Sequence, residues 1–221
     1  MELNAGLRKS AVVHTADMEW QASPSPSVWR KRLDLAGEAE TSRVTSVVRY
    51  DADSAFASHP HPGGEEILVL DGVFSDEHGD YRAGSYLLNP DGFEHAPFSK
   101  PGCVLFVKLR QYPGLDRQQI AVDTNLGEWQ SSSVPGVTRM ALYGEDSHPE
   151  AMSLVRFDSG AQVPDHGHPA GEEIFVLDGD LADDNGEYAT GSWIRYPAGS
   201  RHAVSSKSGC TIYVKSGHLP A

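Results

Sequence analysis

The sequence predicts an all-β protein built of two tandem units, each a barrel or sandwich, related by internal duplication. Three observations carry this. Short runs of β-branched and apolar residues alternate with Gly, Pro and Asp-Gly turn signals at close spacing. One constellation, His59, His61, Glu65 and His95, recurs as His166, His168, Glu172 and His202, each pair 107 residues apart. From His59 to Lys108 against His166 to Lys215 the register runs without a gap, and 26 of 50 positions are identical. A repeat of that length is a duplicated domain rather than a solenoid unit, and it divides the chain at 1–112 and 113–221.

Taken in order, Val12, Val13, Met18 and Trp20 suggest an edge strand or arm. Ser23-Pro24-Ser25-Pro26-Ser27 is a loop. Val28 to Leu35 reads as a strand, with Arg30-Lys31-Arg32 as a solvated basic face. Val44–Tyr50 is a strand by its β-branched content. Glu66 to Leu70 is a short apolar strand ended by Asp71-Gly72, a tight-turn signal. Short strands follow at Tyr81 and from Gly84 to Asn89, where Pro90 stops the run. Extended chain resumes at His95, and Val104–Leu109 is a clear strand. Leu115 to Ile120 is expected to be a short helix or linker. Trp129, Val137 and Leu142 then repeat Trp20, Val28 and Leu33 at an offset of 109, so a two-residue difference falls in the loop before the strand equivalent to Val44–Tyr50.

In His59-Pro60-His61 the two imidazoles point to one face if the segment is extended. The turn Pro62-Gly63-Gly64 brings Glu65 back beside them, and His95 is the fourth candidate. Imidazole and carboxylate suit Zn, Fe, Mn or Ni, Zn and Fe being the first choices, with up to two ions per chain. Four ligands would leave up to two octahedral positions for water, a bidentate molecule or dioxygen, unlike a closed structural zinc site. One carboxylate on a 2+ ion leaves a net charge of about +1, which favours anionic or enolate ligands. Glu66 and Glu173, next to the ligand glutamates, are expected to face solvent or a salt bridge, the alternative being a carboxylate that orients a ligand histidine. His14, His78, His148 and His218 are expected at the surface. Tyr86 and Trp193 either line the barrels or pack the core.

The net charge of −13 argues against nucleic acid or an anionic membrane as partner. No apolar run has the length of a signal peptide or a membrane span, and a cytoplasmic protein is expected. Cys103 and Cys210 fall at equivalent repeat positions and are expected to be buried structural thiols.

These residues resemble the cupin superfamily. Gly160, His166, His168, Glu172 and Gly179 match its first motif in full. His59, His61, Glu65 and Gly72 match it with Asp53 in place of the leading Gly. Gly84, Pro90, Gly92 and His95, and again Gly191, Pro197, Gly199 and His202, match the second motif, with Ser99 and Ser206 where Asn is usual. The run from His59 to Gly72, with Ala83–Tyr86 and the Gly102-Cys103 stretch, is most similar to the ChrR-type cupin of zinc-dependent anti-sigma factors. The resemblance implies two jelly-roll-like β-barrels, each holding a divalent metal through three His and one Glu. The helical sigma-binding zinc domain of those factors is expected to be missing, since no Cys precedes Cys103. The expected function is a regulatory or sensor module that responds to a small molecule or oxidant held in the barrel and reports to a regulatory protein. The alternative is an iron-dependent dioxygenase acting on a β-diketone or hydroxyketone. A homodimer is a further expectation.

Overall fold

The computed structural model describes every residue except Met1, Ala39 and Leu115. The chain forms two compact units. One comprises residues 1–5 and 18–127, the other residues 6–17 and 128–221. Both are all-β among the described residues, apart from one 3-10 turn at Thr15–Asp17.

In the first unit the main sheet runs, in spatial order, Glu2–Leu3, Val28–Ala36, Val44–Tyr50, Cys103–Leu109, Glu65–Asp76, Ser85–Asn89 and Ile120–Asp123. His59–His61 pairs with Phe93–His95 on the opposite wall. The second unit repeats the plan: Gln130–Ser131, Val137–Gly144, Ala151–Phe157, Cys210–Ser216, Glu172–Asp183, Ser192–Tyr196 and Ala11–His14, with Gln162–His168 paired to Ser200–Ser205. This is the jelly-roll-like arrangement that the duplication implied. Val69, Leu87, Leu105 and Phe74 fill the first core, and Val176, Ile194, Ile212 and Leu181 the second, all at most 3% exposed. Burying each contributes about 1.5–3 kcal/mol. Cys103 and Cys210 are buried free thiols.

Ala11–His14 and Ile120–Asp123 open the two sequence repeats at equivalent positions, and each pairs in the other repeat's sheet. Ile120–Asp123 closes the edge of Ser85–Asn89, and Ala11–His14 closes the edge of Ser192–Tyr196. Each gives hydrogen-bond partners to backbone groups that an open edge would leave exposed. A single cut between 112 and 113 does not describe this pairing. Of the short helix or linker expected from Leu115 to Ile120, the described residues show the linker: Leu115 lies outside them, Asp116–Gln119 has no regular structure, and Ile120 starts a strand. Ile120-Ala121-Val122 is short and carries two β-branched residues, and the neighbouring sheet edge decides its state.

The long strand Glu65–Asp76 shapes each barrel. Twelve extended residues would span about 36 Å, yet Glu65 and Asp76 both approach His95. The strand therefore curls round the barrel. The curl falls where Cys103–Leu109 slips register by a bulge, between Val104 and Leu105, and where Gly72 takes a φ of 73°. A Cβ at Gly72 would lie 2.1 Å from the Gly102 carbonyl oxygen. The second unit repeats this at Gly179, whose Cβ would lie 2.0 Å from the Gly209 oxygen. Ser99, in place of the motif's Asn, donates its hydroxyl to the Val73 carbonyl at 2.6 Å and supports the same bend. Asp53, where the motif has Gly, still adopts a left-handed φ of 60°, which Asp tolerates better than most residues.

Gly72→Ala is expected to lower the free energy of unfolding by roughly 3 kcal/mol, combining left-handed strain with a backbone clash. Gly92→Ala, with φ of 79° but open space around it, should cost about 1–2 kcal/mol. Equilibrium urea unfolding of the two variants measures the difference.

Candidate metal centres

In the first unit His59 and His61 lie on one face of their short strand, and His95 sits directly opposite His59 on the paired strand. Ring nitrogens of the three imidazoles all lie within 4.8 Å of one another. His61 Nε2 and His95 Nε2 are 2.9 Å apart. Glu65 Oε2 lies 3.5 Å from both of those nitrogens. His59 Nδ1–H donates to the Ala57 carbonyl at 2.9 Å, which leaves Nε2 as its free lone pair. His95 Nδ1–H donates to Asp76 Oδ2 at 3.0 Å, and Asn89 Nδ2 donates to Glu65 Oε2 at 3.0 Å.

The second unit brings His166, His168 and His202 together in the same way, again within 4.8 Å. His166 Nδ1–H donates to the Pro164 carbonyl at 2.9 Å, and His168 Nε2 stands 3.0 Å from His202 Nε2. Glu172 is turned differently from Glu65. It lies 3.5 Å from His168 Nδ1 and 3.7 Å from His202 Nε2. Tyr196 occupies the position of Asn89, so no amide holds this glutamate. The Tyr196 ring instead packs edge-on against His202, with centroids 4.2 Å apart.

The donor set fits a divalent transition metal. His59, His61, Glu65 and His95, and likewise His166, His168, Glu172 and His202, would hold such an ion, which would polarise a bound oxygen atom or orient a chelating molecule.

Each centre opens into a barrel cavity, and the cavities differ. The first measures about 90 Å³, with Arg30 and Arg32 on its wall. Glu40 holds both, at 2.6 Å from Arg30 and 3.6 Å from Arg32. These arginines were expected on a solvated face; the barrel curvature turns them inward instead. The second cavity measures about 340 Å³ and is lined by Arg139, the repeat partner of Arg30, among apolar side chains such as Val155, Ile174 and Ile212.

Other expectations change in part. Glu66 and Glu173, expected to face solvent or a salt bridge, are 1% and 2% exposed, and Glu173 takes the ion-paired form. The chain that follows the last strand of each repeat covers them. Glu66 accepts a hydrogen bond from the Tyr112 hydroxyl, and Glu173 lies 3.7 Å from His218. His218 is therefore largely buried, and His148 is packed near Tyr143, while His14 and His78 are exposed. Tyr86 and Trp193 are fully buried but line neither cavity. Sequence reasoning missed Asp76, Asn89, Asp183 and Tyr196. The 107-residue offset relates Asp76 to Asp183 and Asn89 to Tyr196, but only the folded structure shows that Asp76 and Tyr196 meet His95 and His202 while Asn89 holds Glu65.

Burial raises the Glu172 carboxyl to about 8, an effect Arg139 partly offsets. Burial lowers His168 to about 4, with His166 adding to the effect, and lowers His202 likewise, with His168 and His166 adding. In the metal-free fold Glu172 thus favours its protonated form. Its stabilising contribution is full below about pH 4.5 and is lost as pH rises to about 8. The two imidazoles act oppositely: their contribution is present above about 6.5 and is lost as pH falls to about 4. Glu172→Gln should therefore flatten the fall in melting temperature of chelator-treated protein between pH 5 and 8. Scanning calorimetry of variant and parent across that range checks it.

By sequence, no match was found among curated proteins. Solved structures share the fold at low identity. A candidate dioxygenase from Nostoc punctiforme aligns with a TM-score of 0.79 at 15% identity, over 96% of this chain and 84% of its own. Ylba from E. coli aligns with a TM-score of 0.75 at 16% identity, over 98% and 94%. A Bacillus subtilis oxalate decarboxylase (OxdC) mutant aligns with a TM-score of 0.67 at 13% identity, over 95% and 77%. The family model described as the ChrR cupin-like domain matches twice, over residues 8–113 and 117–220. With both repeats matched and both His clusters in place, this chain belongs to the ChrR cupin-like family.

Proposed function

We propose that the chain is a metal-dependent sensor of a small anionic, chelating molecule, and that the second barrel receives it. The observation that carries this is a metal-ready centre opening into a cavity of about 340 Å³ with Arg139 on its wall. Among the described residues Arg139 has no carboxylate clamp like that of Glu40 on Arg30. A ligand bearing a carboxylate or enolate would complete the two open positions of the ion and meet the guanidinium with its remaining charge. In the first barrel Glu40 already neutralises the corresponding arginine, and little space is left. The regulatory part of the reading rests on the likeness to the ChrR-type cupin. Zinc and iron suit the donor set best, and manganese belongs in the same comparison, since the Bacillus subtilis oxalate decarboxylase carries Mn(II) centres.

A second reading, an iron-dependent dioxygenase, is favoured by one feature. The apolar walls around the second centre suit a β-diketone or hydroxyketone beside an ion with open positions. Oxygen uptake by the iron-loaded protein with such substrates would establish it and displace the sensor reading.

Glu65→Ala and Glu172→Ala should each remove one equivalent of metal from protein purified anaerobically without a chelating tag, as read by elemental analysis. With oxalate as a chelating probe on zinc-loaded protein, titration calorimetry should show one site. Arg139→Ala should weaken that site about tenfold, as loss of a charged hydrogen bond would. Unchanged affinity in Arg139→Ala would overturn the assignment of the anion to the second barrel.

A further inference from the structure

The two centres have equivalent carboxylates that are used differently. Asp76 ends the long strand of the first barrel, and its Oδ2 accepts from His95 Nδ1 at 3.0 Å, both side chains being 1% exposed. A carboxylate accepts only, so His95 must carry its proton on Nδ1 and present Nε2 to the other histidines. Asp183 is the repeat partner of Asp76, yet it makes no hydrogen bond to His202. Its Oδ2 accepts from the Tyr196 hydroxyl at 2.9 Å, and its Oδ1 accepts from the Tyr188 hydroxyl at 2.8 Å and from the backbone of Asn185 and Gly186. His202 Nδ1 is buried with no hydrogen-bond partner. Two residues differ here: Tyr196 stands where the first barrel has Asn89, which turns to Glu65 instead, and Asn185, whose Nδ2 donates to Asp183 Oδ2 at 3.2 Å, stands where the first barrel has His78.

We propose that Asp76 is a positioning residue that makes the first centre the tighter metal site, and that Tyr196 and Asn185 withhold Asp183 from His202 and leave the second centre weaker. A carboxylate behind a ligand histidine fixes ring and tautomer before the ion arrives and raises the basicity of the bound nitrogen. His202 keeps both tautomers and must select one on binding. The first barrel, with its small cavity and clamped arginines, would then hold its ion permanently. The second would exchange its ion more readily beside the larger cavity. This rests on the reading that both clusters bind metal.

The test is zinc competition against a chromophoric chelator on the full chain. His166→Ala/His168→Ala isolates the first centre, and His59→Ala/His61→Ala isolates the second. The first centre is expected to bind zinc at least tenfold more tightly. Asp76→Ala should weaken it ten- to a hundredfold. Asp183→Ala, which removes the repeat-equivalent turn carboxylate, should change the second centre less than threefold. Tyr196→Phe combined with Asn185→Ala, which removes both side-chain donors to Asp183 Oδ2, should strengthen the second centre severalfold. In metal-free protein, ¹⁵N shifts should show a single Nδ1–H tautomer at His95 and a mixture at His202, a signature that a purely structural Asp76 would not produce. Equal affinities at the two centres, or equal losses in Asp76→Ala and Asp183→Ala, would overturn the inference and leave the metal reading intact. Absence of zinc at both centres would overturn both. If Asp76→Ala does not fold, the comparison of the unsubstituted centres and the tautomer spectrum still decide.

Discussion

The curl of one strand underlies the rest of each barrel. Glu65 and Asp76 are the two ends of a twelve-residue strand, and both reach the same imidazole. A straight strand would hold them tens of ångströms apart. Gly72 permits the curl because a side chain there would strike the Gly102 carbonyl, and the bulge at Val104–Leu105 takes up the lost register. Once the strand is curled, its apolar face encloses the cavity and its start places a carboxylate beside the histidines. Its end supports one histidine from behind. Core, cavity and metal centre thus share one geometric cause.

Duplication supplied two copies of that device, and a few substitutions then separated them. Asn89 and Tyr196 occupy one structural position, but the amide holds Glu65 while the phenol holds Asp183. Arg30 and Arg139 occupy another, yet only the first is held by Glu40. The consequence is a second barrel in which, among the described residues, no carboxylate clamps Arg139 as Glu40 clamps Arg30, and the buried His202 Nδ1 has no hydrogen-bond partner.

The strand segments and both histidine clusters were legible because they depend on local rules. Alternation sets which way a side chain points, and Gly marks bends, although Asp71-Gly72, expected to end a strand, lies inside Glu65–Asp76 and curls it instead. Spacing and a constant offset separate a ligand set from scattered histidines. The basic triplet misled because Arg30-Lys31-Arg32 looks the same whether its strand faces water or wraps a cavity. Alternation correctly turned Glu66 and Glu173 away from the metal, but only the fold shows that chain near Tyr112 and His218 covers that outer face. Of the short helix or linker expected before Ile120, residues 116–119 form the linker, and the neighbouring sheet edge makes Ile120 the start of a strand.

By itself, the sequence determined the all-β class, the two repeats, the family resemblance and the eight residues brought together in two clusters. These follow from periodicity, turn chemistry and residue spacing, which act over a few residues or repeat at a fixed offset. Tertiary structure alone decided which strand completes which sheet, the size of each cavity, the place of Arg139 on the wall of the second one and the partner of each second carboxylate. Those depend on contacts between residues far apart in the chain. Asp76 and His95 are 19 positions apart, and only a curled strand brings an acceptor within 3.0 Å of that ring nitrogen.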